Sequence, residues 1–329
     1  MARLSALSHQ DYTVGWICAL PTELTAAMAM LDEEHSPLPQ HQQDNNTYTL
    51  GRIVEHNVVI ACLAAGQTGN NSAAMVASHM RYSFGAIRFG LMVGIGGGVP
   101  SEEHDIRLGD VVVSNPGKHD GGVIQYDFGR TVAEGRFVHS GSLNAPPTVL
   151  LTAVSTLKAR HNLSGHGLVH YLSAVDTPRL RSKYTYQGTE NDILFKADYD
   201  HVGDDTSCDQ CDKSMLVSRP KRDETLPDIH YGTIASGNQV MRHGKTRERW
   251  RRESHVLCFE MEAAGLMNNF PCLVIRGICD YADSHKNKRW QEYAAATAAA
   301  YAKELLSVIG GDQVVRTQTA AEATSQTGA

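Results

Sequence analysis

Short apolar runs that lack polar alternation recur along this chain, and they constrain its fold more than any other feature. Phe89 to Val93, Val111 to Val113 and Cys272 to Ile275 are apolar throughout. A strand with one face in water alternates, whereas a continuous apolar strand is covered on both faces. Tyr12 to Cys18 reads as a further strand, and Thr47 to Val54 with Asn57 to Leu63 as a hairpin-like pair turning at Glu55-His56. Helix patterns fall between them. Pro21 and Thr22 open one helix that runs to about Leu31, and others are expected over Ser72 to Tyr82, Pro146 to Arg160, Glu260 to Asn268 and Trp290 to Ile309. Alternating strands and helices predict an α/β fold around a central sheet.

One domain is expected over residues 11–310, with residues 1–10 disordered. Residues 185–228 are polar and irregular, and they read as a surface insertion. Residues 311–329 are rich in Thr, Gln, Ala and Ser, which predicts a disordered tail. The formal net charge of -6 gives no basic excess for phosphate backbones, so nucleic acid is excluded as a partner. No run approaches the roughly 20 apolar residues that cross a bilayer, which excludes a membrane. The first ten residues make a poor signal peptide. Seven cysteines, an odd number and mostly in apolar stretches, point to a reducing compartment and hence the cytoplasm.

Four segments could carry chemistry. Gly94-Ile95-Gly96-Gly97-Gly98 follows an apolar strand, and it either lets backbone approach a ligand or forms a tight turn between packed elements. It fits neither a dinucleotide fingerprint nor a Walker loop. Phe259-Glu260-Met261-Glu262 sets two carboxylates in an apolar context, where burial demands hydroxyl or cationic partners such as a sugar diol. Acids at a helix start would have the same pattern. Asp280 follows the carboxyl end of the apolar strand 272–275, where open α/β sheets bind ligands, and it suits a general acid or a loop cap. Glu23 lies in the first turn of a helix directly after a strand, a position that also suits a helix dipole.

In this order the four segments resemble the purine nucleoside phosphorylase and nucleosidase superfamily. The likeness is closest to fungal purine nucleosidase proteins, some of which head larger regulatory proteins. Ser236-Gly237-Asn238-Gln239-Val240-Met241, Val123-Ile124-Gln125-Tyr126-Asp127-Phe128-Gly129 and Cys279-Asp280-Tyr281-Ala282-Asp283-Ser284-His285-Lys286-Asn287 carry it as well, and it covers about residues 12–309. The resemblance implies a central mixed, largely twisted sheet flanked by helices, as in nucleoside phosphorylases. It implies that Asp280 acts at N7 of a departing purine and that Glu262 grips the ribose hydroxyls over Met261. Glu23 would activate water. Gln239, Val240 and Met241 would line the base, and Gly94, Ile95 and Gly96 would pass close to the ribose. Phe128 would reach a neighbouring subunit's site, which implies a homo-oligomer, taken as a dimer. The expected substrates are adenosine, inosine and guanosine.

Hydrolysis is favoured over phosphorolysis. Hexameric phosphorylases carry an arginine in the first strand–helix turn, where this chain reads Ala19-Leu20-Pro21-Thr22-Glu23. A carboxylate there repels phosphate. Met92 and Ile95 replace the arginine and serine those enzymes hold near the glycines. A non-catalytic nucleoside-binding module is the rival from another class. No cofactor is expected. Cys208-x-x-Cys211, with His201 and Asp204 nearby, lacks a second pair at finger spacing, so it is read as a surface loop or labile disulfide and no metal is expected. The arginines between Arg247 and Arg252 are read as a solvated helix face.

Overall fold

The computed structural model describes residues 7–133, 137–203, 207–222 and 225–326. Strands follow in chain order as β1 (Val14–Cys18), β2 (Glu33–Glu34), β3 (Tyr48–Ile53), β4 (His56–Cys62), β5 (Phe89–Gly98), β6 (Val111–Ser114), β7 (Val123–Gln125), β8 (Gly129–Thr131), β9 (Phe137–His139), β10 (Ile229–Ser236), β11 (Val256–Glu260) and β12 (Cys272–Asp280). The helices are α1 (Pro21–Ala29), α2 (Asn70–Ser83), α3 (Thr148–Ser164), α4 (Leu168–Leu172), α5 (Arg181–Tyr184), α6 (Gly244–Ser254), α7 (Gln291–Leu306), α8 (Gly311–Arg316) and α9 (Ala320–Gln326).

The main sheet runs β11-β10-β6-β12-β5-β1-β4-β3-β2, with β7 beside β10, and it is mixed as expected. β1 is parallel to β4 and β5, and β5 to β12, while β12 and β6 are antiparallel. β11 closes back antiparallel onto the end of β5, with Cys258 opposite Gly98 and Phe259 opposite Gly97. That pairing curls one end of the sheet into a ring of β5, β12, β6, β10 and β11. The continuous apolar strands are buried on both faces, as their composition demands. The alanine-rich α7 lies against β12. A Cβ on Gly277 would overlap the Ala294 carbonyl, so small residues on both sides permit this close approach.

The structure departs from several expectations. Gly94 to Gly98 makes no turn and completes β5. No helix spans Glu260 to Asn268. β11 ends at Glu260, whose carboxylate accepts from the N–H groups of Glu262 and Ala263, and only a 3-10 turn follows at Ala263–Gly265. The tail is helical over α8 and α9. Val314 and Ala320 are buried, the Ala320 N–H donates to the Ile87 carbonyl at 2.7 Å, and Arg88 donates to the Thr317 carbonyl at 2.9 Å. Residues 327–329 and 1–6 lie outside the described residues, whereas His9–Asp11 form a 3-10 turn with His9 against Phe84.

The 185–228 segment packs onto the body through buried Leu194, Phe195 and Cys211. Its arginines meet acids, Arg219 to Asp192 at 2.9 Å and Arg222 to Asp110 at 2.7 Å. Arg247 is buried on α6, donating to the Tyr281 carbonyl at 2.7 Å and pairing with Asp283 at 3.3 Å, so that helix face is only partly solvated. Among the described residues, no helix is long and apolar enough to cross a membrane.

Candidate active site

Pro21 starts α1 at the residue where its missing N–H costs nothing, so β1 passes into helix within two residues. Glu23 then falls in the first helical turn and folds back. Its Oε2 accepts from the N–H groups of Ala19 at 2.7 Å and Leu20 at 3.0 Å, and its Oε1 from Ile95 at 2.8 Å. The carboxylate therefore ties the end of β1 to β5. Burial pushes its pKa above the ordinary glutamate value of 4.5, and Arg276 with the three amides offsets only part of that push. Gly94 makes the approach possible, since a Cβ there would overlap Glu23 Oε1 and Arg276 Nη1.

Arg276 sits in mid-strand on β12, 1% exposed, and a charge so placed must be paired. Its Nη2 bonds the Glu260 carboxylate and lies 3.6 Å from Glu262 Oε2, while Nη1 donates to the Ile95 carbonyl at 3.3 Å. Glu260 thus performs structural work, holding Arg276 together with the backbone of Glu262 and Ala263. Glu262 accepts from the Gly69 N–H at 3.1 Å. Burial raises its pKa, and the nearby Glu260 and Glu23 push the same way against Arg276.

Asp280 closes β12 opposite Gly97. Its Oδ1 accepts from the Ala282 N–H at 2.9 Å, and Lys286 Nζ lies 3.3 Å from Oδ2. Burial alone would lower the Lys286 pKa, but Asp280 outweighs it and the ammonium is held more tightly than usual.

These groups open on one cavity of about 260 Å3. Glu23, Ile95, Gly96, Gln239, Val240, Met241, Met261, Glu262 and Asp280 line it, so most of the expected site residues come together. Gly94 stands behind Glu23 instead of on the wall. Phe128 lies elsewhere, 57% exposed at the start of the small β8–β9 sheet. Phe259 and Glu260, which the sequence marked only as part of a candidate segment, line the cavity too, as do Thr68 and Lys286, which were given no role from sequence. For Arg276 a signal did exist, an arginine inside an apolar strand. Its carboxylate partners become adjacent only through strand register.

Comparison with known proteins agrees with this geometry. Residues 13–309 match the model of the phosphorylase superfamily. A nucleotide-binding leucine-rich repeat (NLR)-like protein of Hyaloscypha variabilis is 50% identical over 308 residues, covering 93% of this chain, and the chain spans only 30% of that relative's length. The 5'-methylthioadenosine/S-adenosylhomocysteine nucleosidase of Mycobacterium bovis is 25% identical over 90% of this chain and 96% of its own. Among solved structures, the Helicobacter pylori enzyme of the same name superposes with a TM-score of 0.58 at 16% identity, over 90% of this chain and 98% of the other. The match over nearly the whole folded chain, on a sheet whose strand ends gather buried carboxylates around one cavity, makes this chain a member of the phosphorylase superfamily.

Proposed function

We propose that the chain is a purine nucleosidase, hydrolysing the N-glycosidic bond of adenosine, inosine or guanosine to free base and ribose. One observation carries this reading: Glu23, an amide-held carboxylate, and Asp280, a carboxylate beside an ammonium, open on the same cavity. Water attacks C1′ and gives its proton to Glu23. The C1′–N9 bonding pair leaves with the base, and Asp280, entering the step as the protonated acid, gives its proton to N7. Lys286 stabilises the carboxylate that Asp280 becomes. Glu262 holds the ribose hydroxyls over Met261, with Gln239, Val240 and Met241 beside the base. The similarity to methylthioadenosine/S-adenosylhomocysteine nucleosidases supports hydrolysis.

Phosphorolysis fits less well. Four carboxylates (Glu23, Glu260, Glu262 and Asp280) line the cavity against the ammonium of Lys286 and the guanidinium of Arg276, which Glu260 already engages, and a phosphate dianion needs the reverse balance. A second reading, a nucleoside-binding module within a longer regulatory protein, draws on the NLR-like relative of which this chain spans a fraction.

Incubation with each of the three nucleosides in phosphate-free buffer separates these readings. Free base and free ribose are expected. Ribose 1-phosphate formed only with added phosphate would identify a phosphorylase, and binding without release of base would identify the non-catalytic module.

A further inference from the structure

The 193–217 stretch brings together three side chains that the proposed reaction does not use. One ligating atom each from His201, Cys208 and Cys211 lies within 4.8 Å of the others. The Cys211 N–H donates to the Cys208 carbonyl at 3.1 Å, a turn that gathers the two thiols. Cys211 is buried, Cys208 and His201 are half-buried, and both cysteines are free thiols. His201 Nε2 lies 2.9 Å from the Ser207 carbonyl, the kind of contact that orients a metal-ligating imidazole. Asp204, adjacent in sequence, lies outside the described residues.

We infer that His201, Cys208 and Cys211 form a zinc site. Two thiolates and an imidazole suit zinc and exclude hard cations such as magnesium or calcium. Ligand atoms around a tetrahedral zinc ion stand about 3.5–3.8 Å apart, so side-chain rotations of about 1 Å close the cluster on the ion. Binding forms two Zn–S bonds and one Zn–N bond and releases two thiol protons to solvent. Water takes the fourth position. This departs from the sequence reading of a plain loop or labile disulfide, because the histidine's arrival at the thiols is a tertiary fact that the Cys-x-x-Cys spacing does not show.

The site's position gives it a consequence. The His201 N–H donates to Ser284 Oγ at 2.9 Å, and its ring lies 5.5 Å from that of His285. Phe195 stacks on His285 at 4.1 Å. The next residue, Lys286, pairs with Asp280. Zinc would therefore clip the 193–217 stretch against the loop that carries Asp280's ammonium partner. Zinc content is measured without nucleoside, so the site is tested apart from turnover.

The full chain, purified under reducing conditions with zinc and dialysed, is expected to hold about one zinc per chain by elemental analysis. Cobalt replacing the zinc is expected to give a thiolate-to-cobalt charge-transfer band and strong tetrahedral ligand-field bands. Cys208→Ser and Cys211→Ser are each expected to lower zinc content at least about tenfold with unchanged far-ultraviolet circular dichroism. His201→Ala is expected to weaken retention against a chelator. A wild-type chain with all thiols free, no zinc and no cobalt band would overturn the site, even if the cysteine variants misfold. A Cys208–Cys211 disulfide that persists in thiol reductant would overturn it too.

Discussion

Glu23 is held by three backbone amides, and it is costly where it sits, since burial raises its pKa above 4.5. As a base it must be ionised. Activity is thus present above its raised pKa and lost as pH falls through it, so the acidic limb of kcat/KM is expected above pH 4.5. A profile flat down to that value would remove Glu23 from the reaction. Glu23→Gln and Asp280→Asn are each expected to lower kcat at least about 10²-fold in the base-release assay. Arg276 poses a stability question instead. Arg276→Met leaves Glu260 buried without its cation and is expected to cost about 3–5 kcal/mol by denaturant unfolding. Unchanged stability would show that the carboxylates find other partners. Glu23, Glu262 and Asp280 stand out in the sequence because acids beside apolar strands are conspicuous. Arg276 and Lys286 acquire their roles from register and loop folding, with Arg276 opposite Gly94 and Asp280 opposite Gly97, and no local pattern encodes such pairings.

At the scale of elements, the apolar strands and the longer helices were legible, since burial on two faces and helical spacing leave strong marks. β10 was not. Its His230, Tyr231 and Gly232 interrupt the apolar run, because its first half is only partly buried. The 260–268 stretch misled for a different reason. Its acids look like a helix start, and Glu260 does accept from the Glu262 and Ala263 N–H groups as a cap would, but only the 3-10 turn Ala263–Gly265 follows. The tail's polar composition hid two anchors. Val314 is buried, and Thr319 with Glu322 caps α9 through reciprocal hydrogen bonds of 2.8 and 3.2 Å. Val314→Ala is expected to cost about 1–2 kcal/mol, read as a fall of a few degrees in Tm. An unchanged Tm would mean that α8 contributes no packing energy.

At the scale of the whole molecule, the central sheet and its enclosing helices follow from alternation, and the closure of β11 onto β5 does not, because it is a long-range pairing of glycines with Cys258 and Phe259. The expected dimer also belongs to this scale. Phe128 and Phe137 expose aromatic surface on the β8–β9 sheet, away from their own chain's cavity. Light scattering after gel filtration is expected to give twice the chain mass. Phe128→Ala is expected to raise KM at least about threefold with kcat within about twofold, the pattern of lost substrate contact. A fully active monomer would end that assignment.

The sheet's two ends have opposite characters. One is folded into the ring, and the other ends in β2, two residues long, both exposed glutamates, with Glu33 tied to Arg52 at 3.1 Å. An open strand edge is a template on which further chains can add, and a very short, acidic edge is a poor one. The β2 end therefore resists edge-to-edge polymerisation.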